Sequence, residues 1–271
     1  MHSLVFIKQV PDAAQVRVDY NTGTLIREGV PAIINPYDTH AIEAAVQMKD
    51  KFGGIVSVLS MGPPMAEDAL RKALSMGADK AYLLCDKVFA GSDTWATSYA
   101  LWAGAQKIIQ ENGPVDIFWA GKQAIDGDTA QTGPGLATRL DIPLVTCAIK
   151  IVELNLEKSY IVVQRLIEGG FETLQVSIPC MITVEKELNT LRFSPLPDLI
   201  RAARSKIHLL NSSNVDIDPT KCGLKYSPTK VKRVFVPSKR ERGEILDVNE
   251  NNIASVLFEK LEPVLRKMNK L

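Results

Sequence analysis

The stretch Ala124–Gly135, AIDGDTAQTGPG, places two carboxylates (Asp126, Asp128), three glycines, two threonines, a glutamine and a proline in one short loop. These residue types suit holding a nucleotide. Glycine lacks a Cβ, so a backbone N–H can come close to a phosphate. Carboxylates can accept hydrogen bonds from ribose hydroxyls. Taken alone, D-G-D-T is more simply a helix cap or a surface turn. It gains weight from three other loops of similar character: KQVPD (8–12), SMGPP (60–64) and GSDTWAT (91–97). Gly62 resembles Gly127 in permitting close backbone approach. Thr94 and Thr97 are three apart, which puts two hydroxyls on one helical face. Lys8 and Lys122 can balance anionic charge, and helix N-termini add donors and partial positive charge.

Chemistry beyond binding finds little support. There is no G-x-x-x-x-G-K-[ST] string, and GPGLAT (133–138) has Thr138 where a third glycine of a dinucleotide fingerprint belongs. No SGG loop follows the first strand, as a nucleotide-activating enzyme of pyrophosphatase type would have. His2, His40 and His208 lie outside the candidate loops, no Ser–His–Asp set is evident, and Asp126 and Asp128 lack a partner base. Catalytic side chains are therefore assigned to no position. Cys85, Cys147, Cys180 and Cys222 share no C-x-x-C spacing, which argues against a zinc or iron–sulfur centre and for free thiols.

The elements that must position these loops alternate regularly. A buried-strand run lies at Leu4–Lys8, and VRVDYNTGTLI suggests a hairpin turning at NTG. In INPYDTHAIEAAVQMKDKFG, Asp38 or Thr39 can cap a helix that ends at Gly53–Gly54. Strand, helix, strand follow as IVSVLSMG, MAEDALRKALSMG and KAYLLC. The long helix SDTWATSYALWAGAQKIIQENG, the strand VDIFWAG, the opening loop and LATRL complete a β-α-β-α-β order. That order predicts a doubly wound, mostly parallel α/β sheet, with ligands at the carboxyl ends of its strands. Beyond about residue 150 the reading changes to β-hairpins around Gly169–Gly170. Residues 211–247 are polar and proline-containing and are expected to lack regular structure. Residues 249–269 form an amphipathic helix with Ile253, Val256, Leu257, Leu261, Val264, Leu265 and Met268 on one stripe. The expected organisation is an α/β domain over 1–210 and a C-terminal arm with its helix over 211–271.

The chain has 271 residues with 32 Lys+Arg against 31 Asp+Glu, a balance that does not build a nucleic-acid or anionic-membrane surface. No targeting peptide is visible, and no apolar run approaches the ~18 residues needed to span a bilayer. A cytoplasmic protein without membrane insertion is expected.

VFIKQVPD, INPYDTHAIEAAVQMK, SMGPPMAEDALRKALSMGADKAYLL, GKQAIDGDTAQTGPGLA, GGFETLQVSIPCMITVEKELN and LKYSPTKVK together resemble the β subunits of electron-transfer flavoproteins over nearly the whole chain. The resemblance implies a nucleotide-binding fold of adenine-nucleotide-binding type, paired with a flavin-carrying α subunit. It implies nucleotide contacts from Phe6, Lys8, Asn35, Met61, Asp126, Gly127, Asp128, Thr129, Gln131, Thr132 and Gly133, extended to Asp93, Thr94 and Thr97. Main-chain atoms are expected to act at Phe6 and Met61. In the housekeeping branch the nucleotide is AMP, and the loop is bulkier and more acidic where Gly127 stands. D-G-D-T-A-Q, AGSDTWAT and CGLKYSPTKVK are more like the flavin-bifurcating branch. There the site holds FAD, which oxidises NADH and divides electrons between the α-subunit FAD, serving a dehydrogenase of acyl-CoA or hydroxy-acid type, and ferredoxin or flavodoxin. The family engages its dehydrogenase through a loop matching Glu187–Pro197, with Leu188, Asn189 and Arg192 as contact residues. Here that loop reads ELNTLRFSPLPD where many relatives have ELN-x-P-R-Y, which leaves the partner open. Two alternatives stand beside this reading: a non-bifurcating subunit holding structural AMP, and an ATP-using enzyme or sensor of the same fold.

Overall fold

A computed structural model describes residues 1–12, 17–18, 25–26, 31–232, 243, 245–249 and 252–268. The first strand, β1 (His2–Ile7), is buried along its whole length, as a central parallel strand covered on both faces must be. Short pairs follow it: β2 (Gln9–Pro11) with β5 (Ala32–Ile34), and β3 (Arg17–Val18) with β4 (Leu25–Ile26), each antiparallel. The last pair is the expected hairpin; its NTG turn lies outside the described residues.

Helix α1 (Pro36–Phe52) starts one turn earlier than expected. Asn35 is its N-cap residue and proline holds its first position, where a missing N–H costs nothing. Asp38 and Thr39 are thus inside the first turn and cap nothing. The helix ends where Gly53, at φ +73°, returns its N–H to the Lys49 carbonyl. Next come β6 (Ile55–Met61), α2 (Glu67–Ser75), β7 (Lys80–Leu84), α3 (Thr94–Asn112), β8 (Ile117–Gly121) and α4 (Thr132–Leu140). Then β9 (Leu144–Asn155), β10 (Tyr160–Ile167) and β11 (Gly170–Ser177) run as hairpins, followed by β12 (Cys180–Val184), α5 (Leu196–Arg204), β13 (Ile207–Leu210) and α6 (Gly223–Tyr226).

One nine-stranded sheet carries the order β11-β10-β9-β12-β8-β1-β6-β7-β13. The pairs from β9 through β12, β8, β1, β6 and β7 to β13 are parallel; β9–β10 and β10–β11 are antiparallel. The fold is the expected mostly parallel α/β sheet. The hairpins extend it at one edge instead of forming a layer of their own. Alternation along β1 decides the two layers. Val5 and Ile7 join Ala41, Ile42, Leu70 and Leu74 of α1 and α2; Leu4 and Phe6 join Leu101, Ile108 and Leu136 of α3 and α4. Each such fully buried aliphatic side chain contributes ~1.5–3 kcal/mol relative to exposure.

The compact unit runs from Met1 to Val234, and a second unit covers Phe235–Leu271. The stretch expected to be irregular is thereby corrected in part. Val215 and Cys222 are buried in the α3 layer beside Phe89, and α6 forms just beyond Cys222. Apolar residues scattered singly through a polar stretch leave no periodic signal, so this packing was not visible from pattern. The second unit contains α7 (Ile253–Met268), whose Ile253, Leu257, Leu261, Val264, Leu265 and Met268 are exposed.

Candidate functional site

The strand order reverses between β1 and β8: the chain first proceeds outward through β6 and β7, then returns across β1 to β8. A crevice must open at the carboxyl ends there. A cavity of about 850 Å³ occupies that place, lined by parts of all four loops singled out from the sequence. Of the residues expected to contact a nucleotide, Phe6, Lys8, Met61, Asp93, Thr94, Thr97, Gly127, Asp128, Thr129, Gln131, Thr132 and Gly133 line it. The Phe6 ring itself is turned into the core, stacked near Phe118 at 6.4 Å, so its backbone faces the cavity.

Asn35 and Asp126 are not in the lining. Asn35 is fully buried behind it; its amide donates to the Gln123 carbonyl at 2.8 Å and its oxygen accepts the Ile125 N–H at 3.2 Å. It shapes the loop from beneath. Asp126 receives the Lys8 ammonium at 2.7 Å. Asp93 lines the cavity, but its carboxylate is engaged: Oδ1 caps α3 through the Ala96 N–H at 3.1 Å, and Oδ2 takes the Thr229 N–H and hydroxyl at 2.9 and 2.8 Å. Burial opposes its ionisation, yet these bonds outweigh that and hold the carboxyl below its usual value.

The central loop carries backbone strain where a ligand loop is expected to carry it. Asp128 and Ala130 both have positive φ, 50° and 54°, in the region non-glycine residues avoid. Gly127 does not; a Cβ there meets nothing within 4 Å. The loop feeds α4, whose N-cap residue Gln131 makes no side-chain cap. The first N–H groups of α4 thus lack a side-chain acceptor at the cavity wall, an arrangement suited to an anion. Gly133 has a packing reason as well, since a Cβ there would sit 2.5 Å from Thr183 Cγ2 of β12.

Other cavity residues were not anticipated. Asp38 lines it and is buried, accepting the Lys8 N–H at 2.7 Å and the Gly121 N–H at 3.0 Å. Reading Pro36 as the first helical residue places Asp38 inside the helix, and that was the available signal. Asp86, Lys87, Thr229 and Val231 also contribute; the last two belong to the segment LKYSPTKVK, for which the family resemblance implies no nucleotide contact. Lys122, which the sequence did single out to balance charge, lines the cavity too, but its ammonium pairs with the largely buried Glu185 at 2.8 Å, and that bond raises the lysine's pKa.

The three expected partner-contact residues lie elsewhere, beside α1. Leu188 is half-buried against the core, Asn189 exchanges bonds with His40, and Arg192 binds Glu43 and Asp50. The fully exposed side chain of that segment is Phe193, at 97%. The histidines are structural: His2 is buried, His40 bonds Asn189 and His208 stacks on Tyr82. All four cysteines are free, and no metal-holding cluster is present among the described residues. No helix among them is long and apolar enough to cross a membrane.

A family model described as "Electron transfer flavoprotein domain" matches residues 22–211. Protein FixA of Azotobacter vinelandii is 52% identical over 266 residues, covering 96% of this chain and 94% of that one. The electron transfer flavoprotein subunit beta of Thermoanaerobacterium thermosaccharolyticum is 46% identical over 262 residues, covering 96% and 98%. The caffeyl-CoA reductase-Etf complex subunit CarD of Acetobacterium woodii is 44% identical over 264 residues, covering 97% and 98%. With its parallel sheet, its cavity at the strand reversal and these full-length likenesses, the chain belongs to the electron-transfer flavoprotein family, as a β subunit.

Proposed function

We propose that this β subunit holds an FAD in the cavity at the β1–β8 crevice. NADH is the electron donor. The electrons divide between the α-subunit FAD, which serves a dehydrogenase, and a ferredoxin or flavodoxin. The observation that carries the reading is the cavity itself. At about 850 Å³ it lies in the upper part of the ~300–1,000 Å³ range of ligand clefts, and it is open beside Gly127. A mononucleotide would leave much of that space unfilled. The donor set fits a diphosphate: an uncapped α4 N-terminus, a strained loop and Lys8.

When bound, the flavin supplies hydride acceptance and one-electron transfer. The chain's own residues bind, orient and exclude water. Backbone N–H groups at Thr129–Gly133 hold the phosphates, and Thr94 and Thr97 offer hydroxyls from the start of α3. Asn35 and Asp126 act indirectly, one by shaping the loop and one by placing Lys8. No side chain is assigned a proton-transfer step.

The partners follow from the same reading. The α7 stripe, exposed along its length, is proposed to dock on the α subunit. The 187–197 segment is proposed to face the dehydrogenase, with Leu188, Asn189 and Arg192 setting its shape and Phe193 exposed. The likeness to CarD, a subunit of a caffeyl-CoA reductase-Etf complex, supports an acyl-CoA-type partner. The proposed location is the cytoplasm.

The test is the nucleotide released on denaturing the purified αβ complex. Two FAD per complex, with NADH-dependent reduction of ferredoxin and of a second acceptor together, is the expected result. One FAD and one AMP would replace this reading with that of a simple one-flavin carrier.

A further inference from the structure

The β1–β8 crevice is the natural place for an anion, because two strand-end N–H groups meet there, yet this chain fills it with a carboxylate of its own. Asp38, carried in by the first turn of α1, takes the Lys8 N–H on one oxygen and the Gly121 N–H on the other. The second oxygen also receives the Asn35 amide at 2.9 Å. Asn35 then extends the connection outward, to the Gln123 carbonyl and the Ile125 N–H. The ends of β1 and β8, the start of α1 and the root of the 124–135 loop are thereby joined through two buried side chains, Asp38 and Asn35. The fit is close: a Cβ on Gly121 would collide with Asp38 Oδ1 and would come within 2.5 Å of Tyr37 Cβ.

We infer that Asp38 is a positioning residue for the phosphate half of the nucleotide site, fixing the loop through Asn35 and keeping ligand anions out of the β1–β8 crevice. This rests on the nucleotide-site reading and deepens it. With the crevice donors occupied by Asp38, a phosphate is left with the backbone of 127–133 and the α4 N-terminus. Among the described residues, the opposite wall, at Met61–Pro64 and Asp86–Asp93, makes no hydrogen bond to Asp38 or Asn35. A nucleoside end held on that wall is therefore expected to be insensitive to Asp38. Burial pushes the Asp38 carboxyl up to about 7 against the pull of its three donors, so its charge is costly where it sits.

Asp38→Asn keeps the shape and exchanges one acceptor for a donor, which must face an N–H. The experiment measures ADP and adenosine affinity of the full chain in complex with its α subunit, after removal of bound nucleotide. The expected result is an ADP affinity at least tenfold weaker, with adenosine affinity changed less than twofold. Equal losses for the two ligands would reduce Asp38 to a general structural residue and overturn the inference, as would unchanged ADP affinity. Failure of the wild-type complex to bind either ligand would instead remove the nucleotide-site reading on which this rests. Should Asp38→Asn not fold, Asn35→Ser cuts the same connection one bond further out. It must give the same split between ADP and adenosine for the inference to stand.

Discussion

The ammonium of Lys8 lies 2.8 and 2.7 Å from the two carboxylate oxygens of Asp126, joining the end of β1 to a loop 118 residues away. Both side chains are substantially exposed, 49% for Lys8 and 34% for Asp126. An ion pair in that setting contributes ~0–1 kcal/mol to stability. Its value is in placement, since Lys8 also lines the cavity. Lys8→Met is therefore expected to leave the melting temperature nearly unchanged while weakening nucleotide binding about tenfold, the equivalent of ~1.4 kcal/mol. Thermal unfolding together with a nucleotide titration checks both halves. A large loss of stability with intact affinity would reverse the assignment.

Gly127 offers a cleaner separation of fold from ligand. A side chain there meets no protein atom, and its backbone needs no positive φ. Gly127→Asp is accordingly expected to fold as stably as wild type. In the complex it should expel the β-subunit flavin while the α-subunit flavin remains, because the new carboxylate projects beside the phosphate path. Flavin counted per complex decides the matter, and a stoichiometry still at two in this variant removes the steric explanation of why a glycine stands there.

How far the sequence could be read depended on whether a residue's neighbours were near it in the chain. Strand and helix order followed from local periodicity, and the four loops followed from strand-end position, so most of the cavity lining could be anticipated. Asp38, Thr229 and Val231 could not. Asp38 looks like a cap until Pro36 is recognised as the helix's first residue, and its partners Lys8 and Gly121 are distant in sequence. Thr229 meets Asp93 across 136 residues. Asp93 itself was legible as an N-cap, but not as the anchor of a second segment. Leu188, selected by likeness as a contact residue, is half-buried because the short turn at Lys186–Leu188 directs it against the core.

The Asp93–Thr229 connection predicts a retention effect. Residues Ser227–Val231 pass along the cavity mouth, fixed by the Asp93 N–H to Ser227 Oγ at 2.8 Å and by both Thr229 donors to Asp93 Oδ2. Thr229→Val removes the hydroxyl donor and keeps the backbone one. Nucleotide release is expected to accelerate about fivefold, from the loss of roughly 1 kcal/mol, with little change in stability. Stopped-flow displacement of bound nucleotide measures it; an unchanged release rate would mean the segment is not part of the wall. Because the Asp93 carboxyl is held below its ordinary value, its contribution is complete above about pH 4 and lost as pH falls through its folded value. Release from wild type should therefore not change on this account between pH 6 and 8.

A last prediction concerns the far end of the sheet, away from the cavity. His2 is buried in β1 with Nε2 3.0 Å from Ser57 Oγ, and burial, outweighing the pull of Asp116, lowers its pKa. The unfolded chain takes a proton there near 6.5, while the folded chain resists it. The stability gained from keeping His2 neutral is thus complete above about pH 6.5 and is lost as pH falls below it. Asp38 works in the opposite sense, since its raised pKa erodes stability as pH rises from about 4 to 7. The melting temperature of wild type alone mixes these two slopes. The difference between wild type and His2→Gln isolates one of them, because Asp38 is common to both. At pH 7 the variant is expected to be less stable by ~1–2 kcal/mol from imperfect replacement of a buried side chain. As pH falls to 5 that gap should narrow, since only wild type must accept or exclude a buried charge. Denaturant titrations at both pH values give the two gaps directly, and a gap independent of pH would mean that His2 titrates as it does in the unfolded chain.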